Sequence, residues 1–523
     1  MLRSAAVVAR EGTPPPSGRR ERRTRRLALF ALVCTAFAYG YVAQGTGANQ
    51  ASHYALVKAL ADGTPHIDRT QHEIGDLDTS DVLRYHGHVY SSRSPGLAFV
   101  VLPAYLVIES VGIRTLGDPT AVLWALTLVG VVAPALALLV LVARVAERLE
   151  PGLGAPAALF LGLATLLLPY ATLFFAHVLS ALLGFAAFAL LVGIRSRPGA
   201  LLRVGAAGLV AGLAVVAEYP LALTALIIGA YAVSGRDRPA RAVAYLTGFV
   251  VGLVPLLVYN TWAFGAPWHV SYRYLGPGTG LVDVPHPLVA LNLLLGSLGL
   301  LRTTPVVVCG LIGLVLLYRR GHRAEAVASG AIFAGHLLYN ASYFVPYGGV
   351  SAGPRFLIVA LPFVALGLAA ALRAFPTPSV VLGVVSAAIM TIFTATHPLS
   401  AGDGHVVERL THNGFSQTVV ELRVVLGWVT IVPFFVAVAC AVAAAVALSR
   451  LSVGRRDAVV AVAAVAAWLV VAVFGTRWTL EQTPRDGVFA LLLAAVAVTA
   501  VFAAARVVGA APAVPTTEGR GAV

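Results

Sequence analysis

Residues 45–95, GTGANQASHYALVKALADGTPHIDRTQHEIGDLDTSDVLRYHGHVYSSRSP, form a polar stretch between two apolar runs. The run before it, 27–43, reads LALFALVCTAFAYGYVA, and the run after it, 97–112, reads LAFVVLPAYLVIESVG. Six of the 23 acidic residues of the chain lie in this stretch, namely Glu73 and the aspartates at positions 62, 68, 76, 78 and 81. A chain with so few carboxylates elsewhere is expected to use some of these for function.

The remainder of the chain is dominated by further apolar runs. Of its 523 residues, 59% are hydrophobic and only 11% are charged, and the mean hydropathy is +0.85. A soluble protein carries about 25% charged residues. Many of the runs approach the ~20 residues that cross a hydrocarbon core of ~30 Å as a helix. We therefore predict an all-α polytopic integral membrane protein.

The formal net charge of +14 comes from arginine clusters that lie between the apolar runs. The positive-inside rule identifies such clusters as cytoplasmic loops, so no nucleic-acid partner is predicted. Cys34, Cys309 and Cys440 lie inside apolar runs, which argues against a disulfide framework or a zinc site. Arginine in place of lysine, with abundant Ala, Val and Gly, is typical of a GC-rich bacterial genome.

The arginine clusters also predict a path through the membrane. The basic tail 1–26 is expected in the cytoplasm, and the run 27–43 is interpreted as a retained transmembrane helix rather than a signal peptide. The stretch 45–95 is then external. The short run 97–112 is predicted to lie along the outer surface, because the cluster 144–148 then falls inside. This path gives roughly 14 spans, two cytoplasmic termini and an active site on the outer face of a bacterial cell membrane.

The carboxylates of the polar stretch are candidates for a general base. Burial between a loop and a membrane surface raises a carboxyl pKa, and a nearby arginine lowers it again. A carboxylate tuned in this way can deprotonate an acceptor hydroxyl. We predict Asp68 and Asp76 as the catalytic residues, with ordinary solvated positions as the alternative for each.

The pattern NQASHYALVKAL, residues 49–60, predicts an amphipathic helix that lies in the membrane interface. His53 is on its polar side and is a candidate for substrate binding. A simple surface helix without contact to substrate is the alternative.

Two arginines lie at turns that precede apolar helices. In VYSSRSPG, Arg93 comes just before a Pro-Gly turn, where a guanidinium and a helix N-terminus can hold a phosphate at headgroup depth. Tyr90 belongs to the same predicted substrate-binding group. In VPYGGVSAGPRFL, the glycines allow a tight turn and close approach to a ligand, and Arg355 follows them. Lipid-headgroup binding is the alternative for Arg93, and a simple loop is the alternative for Arg355.

Two further motifs place polar groups among apolar residues. His177 lies in LFFAHVLSALL, and Glu218 with Tyr219 lies in AEYPLAL. A carboxylate in such surroundings is costly unless it has a partner or a purpose. We include all three residues as substrate-binding candidates. The alternatives are a packed, hydrogen-bonded histidine and a solvated carboxylate at a helix end.

The order of these motifs resembles the GT-C superfamily of polyprenyl-phosphate-sugar-dependent glycosyltransferases. The matching set is YSSRSPGLAFVVLPAYL, FFAHVLSALL, AEYPLAL, FGAPWHVSYRY and GGVSAGPRFL. The chain looks most like bacterial members related to protein mannosyltransferases and to the aminoarabinose transferase of lipid A. The resemblance covers roughly residues 27–400 and implies a catalytic transmembrane module there. The apolar runs predict further transmembrane helices over 401–510, and the polar tails 1–26 and 511–523 are expected to be disordered and cytoplasmic.

The resemblance also implies a reaction. A hexose or pentose on a polyprenyl phosphate would pass, with inversion, to a glycan, lipid or protein of the cell envelope. Arg93 occupies the cationic position that meets the lipid phosphate. Many relatives begin the surface helix with Asp-Glu, whereas this chain has Asn49-Gln50, so the base is left to Asp68 or Asp76. We find no nucleotide-binding motif and no convincing metal cluster and predict no cofactor, although some relatives use a divalent ion.

Two other functions stay open from the sequence. A transporter or flippase of lipid-linked sugars predicts internal repeats, and no clear repeat is present. An oligosaccharide polymerase or ligase would place a long catalytic loop late in the chain. The loop 396–423, which contains Asp403, His405, Glu408 and His412, keeps that alternative open.

Overall fold

The computed structural model describes residues 17–44, 47–70, 80–112, 119–194, 200–235, 237–275, 283–399, 408–409, 412, 414–418, 427–449, 451 and 454–480. Helices dominate these residues, and the strands form two short antiparallel pairs. The helical class predicted from the apolar runs is confirmed. Asp76, the tail 511–523 and much of the loop 396–423 lie outside the described residues.

The α-helices are numbered in chain order: α1 Ser17–Tyr41, α2 Ala48–Ala61, α3 Gly96–Ser110, α4 Pro119–Thr127, α5 Ala133–Leu149, α6 Gly154–Leu163, α7 Leu167–Tyr170, α8 His177–Leu191, α9 Leu201–Ala217, α10 Leu221–Val233, α11 Arg238–Phe264, α12 Pro287–Leu295, α13 Leu300–Thr303, α14 Val306–Arg319, α15 Arg323–Ser342, α16 Leu361–Ala374, α17 Pro376–Ala395, α18 Val432–Leu448 and α19 Arg455–Leu480. A π-helical segment, Leu128–Val132, joins α4 to α5. Short 3-10 helices cover Ser271–Tyr274, Arg355–Ala360 and Gly427–Ile431. The strands are β1 Val42–Ala43, β2 Val82–Tyr85, β3 His88–Ser91 and β4 Gln417–Thr418.

Six helices in the described part of the chain are long and apolar enough to cross a membrane. The number is seven if the pair Pro287–Thr303 and Val306–Arg319, bent by 92°, is one span. Five more apolar helices, α3, α6, α8, α9 and α10, are shorter. Helix α3 has 15 residues, and at ~1.5 Å per residue it does not reach across a core of ~30 Å. The path of roughly 14 spans therefore stays a prediction.

Glycines allow the helices α9 and α11 to pack backbone to backbone. A Cβ added at Gly208 would lie 2.0 Å from the carbonyl oxygen of Tyr245. One added at Gly248 would lie 2.0 Å from the carbonyl oxygen of Gly205. Small residues four apart are the usual means by which helices associate in lipid, where dispersion contacts replace the hydrophobic effect.

The strands β2 and β3 form a hairpin inside the predicted external stretch. Val82 is paired with Ser91, and Tyr85 is paired with His88. The two turn residues are His86 (φ 48°) and Gly87 (φ 85°), which fits the type I′ turn typical of two-residue hairpins. Antiparallel pairing brings together the residues that flank the open end of the hairpin.

Helix α2 begins and ends within one residue of the predicted helix 49–60, and it packs against α3. Asn49, Gln50 and His53 are all buried. The polar residues of this helix therefore face protein rather than solvent. Its position in the membrane interface stays a prediction.

Two sets of contacts join loops that are distant in the chain. The pairing of β1 with β4 joins the end of α1 to residues 417–418, next to two stretches predicted to be external. Elsewhere, the buried carboxylate of Glu150 contacts Arg320 Nη1 and Arg373 Nε. Three loops that the positive-inside rule assigns to the cytoplasm thus meet at one side chain.

Glu150→Ala is expected to lower the free energy of unfolding by about 2 kcal/mol, because two arginines lose their shared counter-charge. The usual cost of breaking a buried pair is about 3–5 kcal/mol, and it is reduced here because Arg320 and Arg373 can turn towards water. Thermal unfolding in detergent measures the change. The double variant with Arg373→Ala should cost less than the sum of the single variants, and strict additivity would contradict the ion-pair account.

Candidate active site

The open end of the hairpin brings an aspartate and an arginine close together. Asp81 immediately precedes β2, and Arg93 follows β3 by two residues. The Asp81 carbonyl accepts hydrogen bonds from Ser52 Oγ (2.7 Å), Ser92 Oγ (3.0 Å) and the Ser92 N–H (3.2 Å). Ser52 Oγ is also 2.7 Å from Ser91 Oγ. The backbone at both ends of the hairpin is therefore fixed against helix α2.

Arg93 is held by two side chains. Its Nη2 atom lies 2.5 Å from Asp81 Oδ1. When the Asn49 amide is oriented with its oxygen towards the guanidinium, that oxygen accepts from Arg93 Nη1 and Nε, both at 3.1 Å. Burial would lower the pKa of Arg93, but the charge of Asp81 outweighs it and raises that pKa. Arg93 is thus cationic and charge-compensated, and Asn49 supplies a neutral acceptor.

Arg355 is buried in a different way. Its guanidinium carbon lies 5.4 Å from the ring centre of Phe175 and 5.5 Å from that of Phe356. The residue is only 6% exposed, and Nε has no hydrogen-bond partner. No carboxylate among the described residues forms an ion pair with it. A buried arginine without a counter-charge is costly, and an anionic ligand would remove that cost.

The glycine-rich turn before Arg355 fits closely over its side chain. Gly348 has a φ of +82°, and a Cβ at this position would lie 2.4 Å from Arg355 Nε. Ser351 Oγ in the same turn lies 2.5 Å from the hydroxyl of Tyr170. The sequence GGVSAGPR therefore forms a tight turn that covers the Arg355 side chain. The close approach of this turn to a ligand stays a prediction.

His177 and Glu218 form a pair next to Arg355. His177 begins α8, Glu218 follows the last residue of α9, and His177 Nδ1 contacts Glu218 Oε1. Ser180 Oγ donates to Glu218 Oε2 at 2.8 Å. The imidazole packs on Phe175 and Phe356, the rings that also contact Arg355, and its Nε2 has no hydrogen-bond partner. A carboxylate on Nδ1 orients the ring and leaves Nε2 to face a ligand.

His53 interacts electrostatically with both Arg93 and Arg355. Its ring is 3% exposed and lies edge-on to Phe174. Burial lowers the pKa of His53 well below its usual range, and the charges of Arg93 and Arg355 lower it further. His53 is therefore neutral at physiological pH, with an unpartnered Nδ1.

The structure brings together most of the predicted binding residues. Arg93, His53, His177, Glu218 and Arg355 interact electrostatically in one polar centre, in which His53, His177 and Arg355 are buried and Arg93 and Glu218 are partly exposed. Separately, the Tyr219 hydroxyl lies 3.2 Å from Ser271 Oγ, which donates to the Ser92 carbonyl beside Arg93.

Tyr90 lies instead in an aromatic group outside this centre, with its ring 5.2 Å from that of Phe264.

Asp68 lies against strand β3 near the turn of the hairpin, whereas Arg93 lies at the open end. Its Oδ2 atom lies 2.6 Å from His88 Nδ1 and 3.1 Å from His66 Nδ1, and Oδ1 accepts from the Val89 N–H at 2.6 Å. Burial would raise the pKa of Asp68, but these hydrogen bonds and the two histidines lower it overall. Its role as a base stays a prediction.

Sequence reasoning did not separate Asp81 from the other acids or pick out Asn49. The hairpin pattern VLRY-HG-HVYS is the signal that identifies Asp81, because its pairing predicts that the residue before Val82 meets the residues after Ser91. Asn49 contacts Arg93 from helix α2, which the hairpin pattern does not predict.

The chain was compared with known proteins. No family model and no curated protein matches it. Among solved structures, apo ArnT from Cupriavidus metallidurans aligns with a TM-score of 0.49 and 14% identity over 83% of this chain and 77% of that one. ArnT bound to undecaprenyl phosphate aligns with a TM-score of 0.45 and 16% identity over 91% and 75%. Archaeal oligosaccharyltransferase AglB from Archaeoglobus fulgidus, in complex with an inhibitory peptide and a dolichol-phosphate, aligns with a TM-score of 0.44 and 12% identity over 91% and 60%.

Proposed function

We propose that this protein is a membrane glycosyltransferase that moves a sugar from a polyprenyl-phosphate donor to an acceptor of the cell envelope. The observation that carries the proposal is Arg355, a buried cation that forms no ion pair with any described residue. It interacts electrostatically with Arg93, His53 and the His177–Glu218 pair. Such a centre suits a phosphate that leaves as an anion. The order of the motifs along the chain supports the same class of reaction.

Arg355 is assigned as the main ligand of the donor phosphate. Its guanidinium has unused donors and is fixed by the two phenyl rings, so little rotamer entropy is lost when it binds a phosphate. Arg93 supplies a second positive charge, but its nitrogens already contact Asp81 and Asn49. Preorganised cations aimed at a leaving phosphate stabilise charge that develops in the transition state.

Asp81 is assigned as the general base that deprotonates the acceptor hydroxyl. The acceptor hydroxyl oxygen attacks the anomeric carbon as the bond from that carbon to the phosphate oxygen breaks, and the phosphate leaves with the electron pair. The hydroxyl proton passes to the Asp81 carboxylate, and the configuration inverts. Asp81 is 27% exposed at its side chain and its backbone is fixed by Ser52 and Ser92, so it is both reachable and positioned. Asp68 and Asp76 stay alternative bases from the sequence.

Several finer features belong to the same proposal. The sugar is a hexose or a pentose, and the acceptor is a glycan, lipid or protein. The protein crosses the bacterial inner membrane about 14 times with both termini in the cytoplasm and the active site on the outer face. Residues 27–400 form the catalytic module, and 401–510 contribute further transmembrane helices.

Transfer can be measured with the purified full-length chain in nanodiscs, given labelled polyprenyl-phosphate sugars and candidate envelope acceptors. We expect one sugar to move per acceptor hydroxyl, with release of polyprenyl phosphate. Movement of the labelled lipid between liposome leaflets without any transfer would support a flippase and contradict the proposal. A ladder of growing oligosaccharide on the lipid would identify a polymerase instead.

A further inference from the structure

Two histidines and one aspartate lie close together at strand β3 of the hairpin. His66, Asp68 and His88 each offer a ligand atom, and these three atoms lie within 4.8 Å of one another. Asp68 Oδ2 lies 2.6 Å from His88 Nδ1 and 3.1 Å from His66 Nδ1. We propose that His66, Asp68 and His88 form a zinc-binding site.

The geometry fits a small tetrahedral ion. Zinc binds imidazole nitrogen and carboxylate oxygen at about 2.0–2.2 Å, which places neighbouring ligand atoms roughly 3.3 Å apart. The distance from His66 to Asp68 is already close to this value. The distance from His88 to Asp68 must widen by a few tenths of an ångström, and the His88 side chain is 49% exposed and free to shift. Three protein ligands leave a fourth position for water or another ligand.

The donor set selects the metal. Imidazole nitrogens suit zinc and other late transition metals, whereas magnesium and calcium prefer oxygen ligands. Two histidines with one carboxylate are a common zinc set. Magnesium is therefore not expected to compete at this site.

The surroundings orient the Asp68 carboxylate and fix the backbone that carries His66 and Asp68 before a metal arrives. The Val89 N–H donates to Asp68 Oδ1 at 2.6 Å and orients the carboxylate. The Val89 carbonyl accepts from the Ile67 N–H at 2.7 Å, so the segment that carries His66 and Asp68 is fixed to β3. The rings of His66 and His88 are stacked with centres 4.3 Å apart. Such supporting hydrogen bonds are typical of metal ligands.

Zinc at this site would join residues 66–68 to the hairpin that ends at Asp81 and Arg93. Asp68 would then be a metal ligand rather than a base. The site includes neither Arg93 nor Arg355, and the zinc proposal does not depend on whether the protein transfers sugar.

Metal binding to the full-length protein tests the proposal. The protein, purified in detergent with a tag that lacks histidine and stripped by a chelator, is titrated with Zn²⁺ against a competing indicator, and its metal content is measured. We expect about one tightly bound zinc per chain, unaffected by millimolar Mg²⁺. His66→Asn and His88→Asn should each weaken binding by at least about 100-fold, because even supporting residues cost 10–100-fold.

His86→Asn is the matched control, since His86 lies in the turn of the same hairpin and Asn tolerates its positive φ. It should keep the wild-type affinity. Absence of tight binding to the wild type, retention of binding by both ligand variants, or equal loss in the control would each overturn the assignment. A folded state for every variant is checked by its elution profile and unfolding temperature.

Discussion

Arg355→Met is expected to reduce sugar transfer by about 10²–10³-fold and to leave the protein no less stable to heat than the wild type. The loss of turnover follows from the removal of a fixed positive charge aimed at the leaving phosphate, which in other enzymes costs about that factor. Affinity for polyprenyl phosphate, measured directly with the lipid, should fall in the same variant.

The stability half of this prediction separates a ligand-binding arginine from a structural one. Arg355 has no ion pair among the described residues, so the cost of desolvating its charge is only partly offset by the more distant carboxylates of Asp81 and Glu218. Methionine removes that cost and keeps most of the packing against Phe175 and Phe356. The lost cation–π contacts, worth about 0.5–2 kcal/mol, offset part of the gain.

Arg241→Met is the matched control. Arg241 is also buried, but its Nη2 donates to the Ile194 carbonyl at 3.0 Å at the end of another helix. Its loss should lower the free energy of unfolding by about 2 kcal/mol, while the folded fraction keeps its turnover. An Arg355→Met protein that is destabilised as much as Arg241→Met, or that transfers sugar normally, would contradict the assignment of Arg355 to the phosphate.

Asp81→Asn is expected to lower turnover by about 10²–10⁴-fold, the usual contribution of a general base. The asparagine oxygen can still accept from Arg93 Nη2, so the position of that arginine is retained. Removal of the negative charge leaves the binding centre more positive. Affinity for the donor phosphate should therefore be unchanged or higher while transfer falls. Turnover and donor affinity are measured on the same preparation to detect these two different responses.

Asp68→Asn is the control for the same chemistry within the same external stretch. We expect its turnover to stay within about tenfold of the wild type, because Asp68 contacts His66, His88 and Val89 rather than Arg93. If Asp68→Asn lost transfer and Asp81→Asn kept it, the base predicted from the sequence would be correct and the assignment of Asp81 wrong. If both kept it while Glu218→Gln lost it, the His177–Glu218 pair would supply the base.

The hairpin explains why the sequence identified the cations more readily than the acid. Arg93 and Arg355 stand out because each is a lone charge next to a Pro or Gly turn and an apolar helix. The acids stand in a polar stretch with several equivalent candidates. Only the pairing of Val82 with Ser91 distinguishes Asp81, because it brings that residue and Arg93 to the same end of the hairpin.

The His177–Glu218 pair shows the same limit over a longer distance. Each residue is unusual in its apolar surroundings, which made both of them candidates. Their contact depends on the packing of α8 against α9, since 41 residues separate them in the chain. The cluster of His66, Asp68 and His88 was not recognised at all, because its third member comes from a strand 20 residues further along.

The amino-acid sequence by itself determined that the protein is helical, that it has helices fit for a membrane, and where its unusual charges lie. These properties depend on local apolar content and on the cost of charge in lipid, and both can be read one segment at a time. Tertiary structure alone decided that Arg93 is paired while Arg355 forms no ion pair within the described part of the chain, and that Asp81 rather than Asp68 contacts Arg93. Those contacts join residues that are distant in the chain, and they form only when hairpin register and helix packing are established.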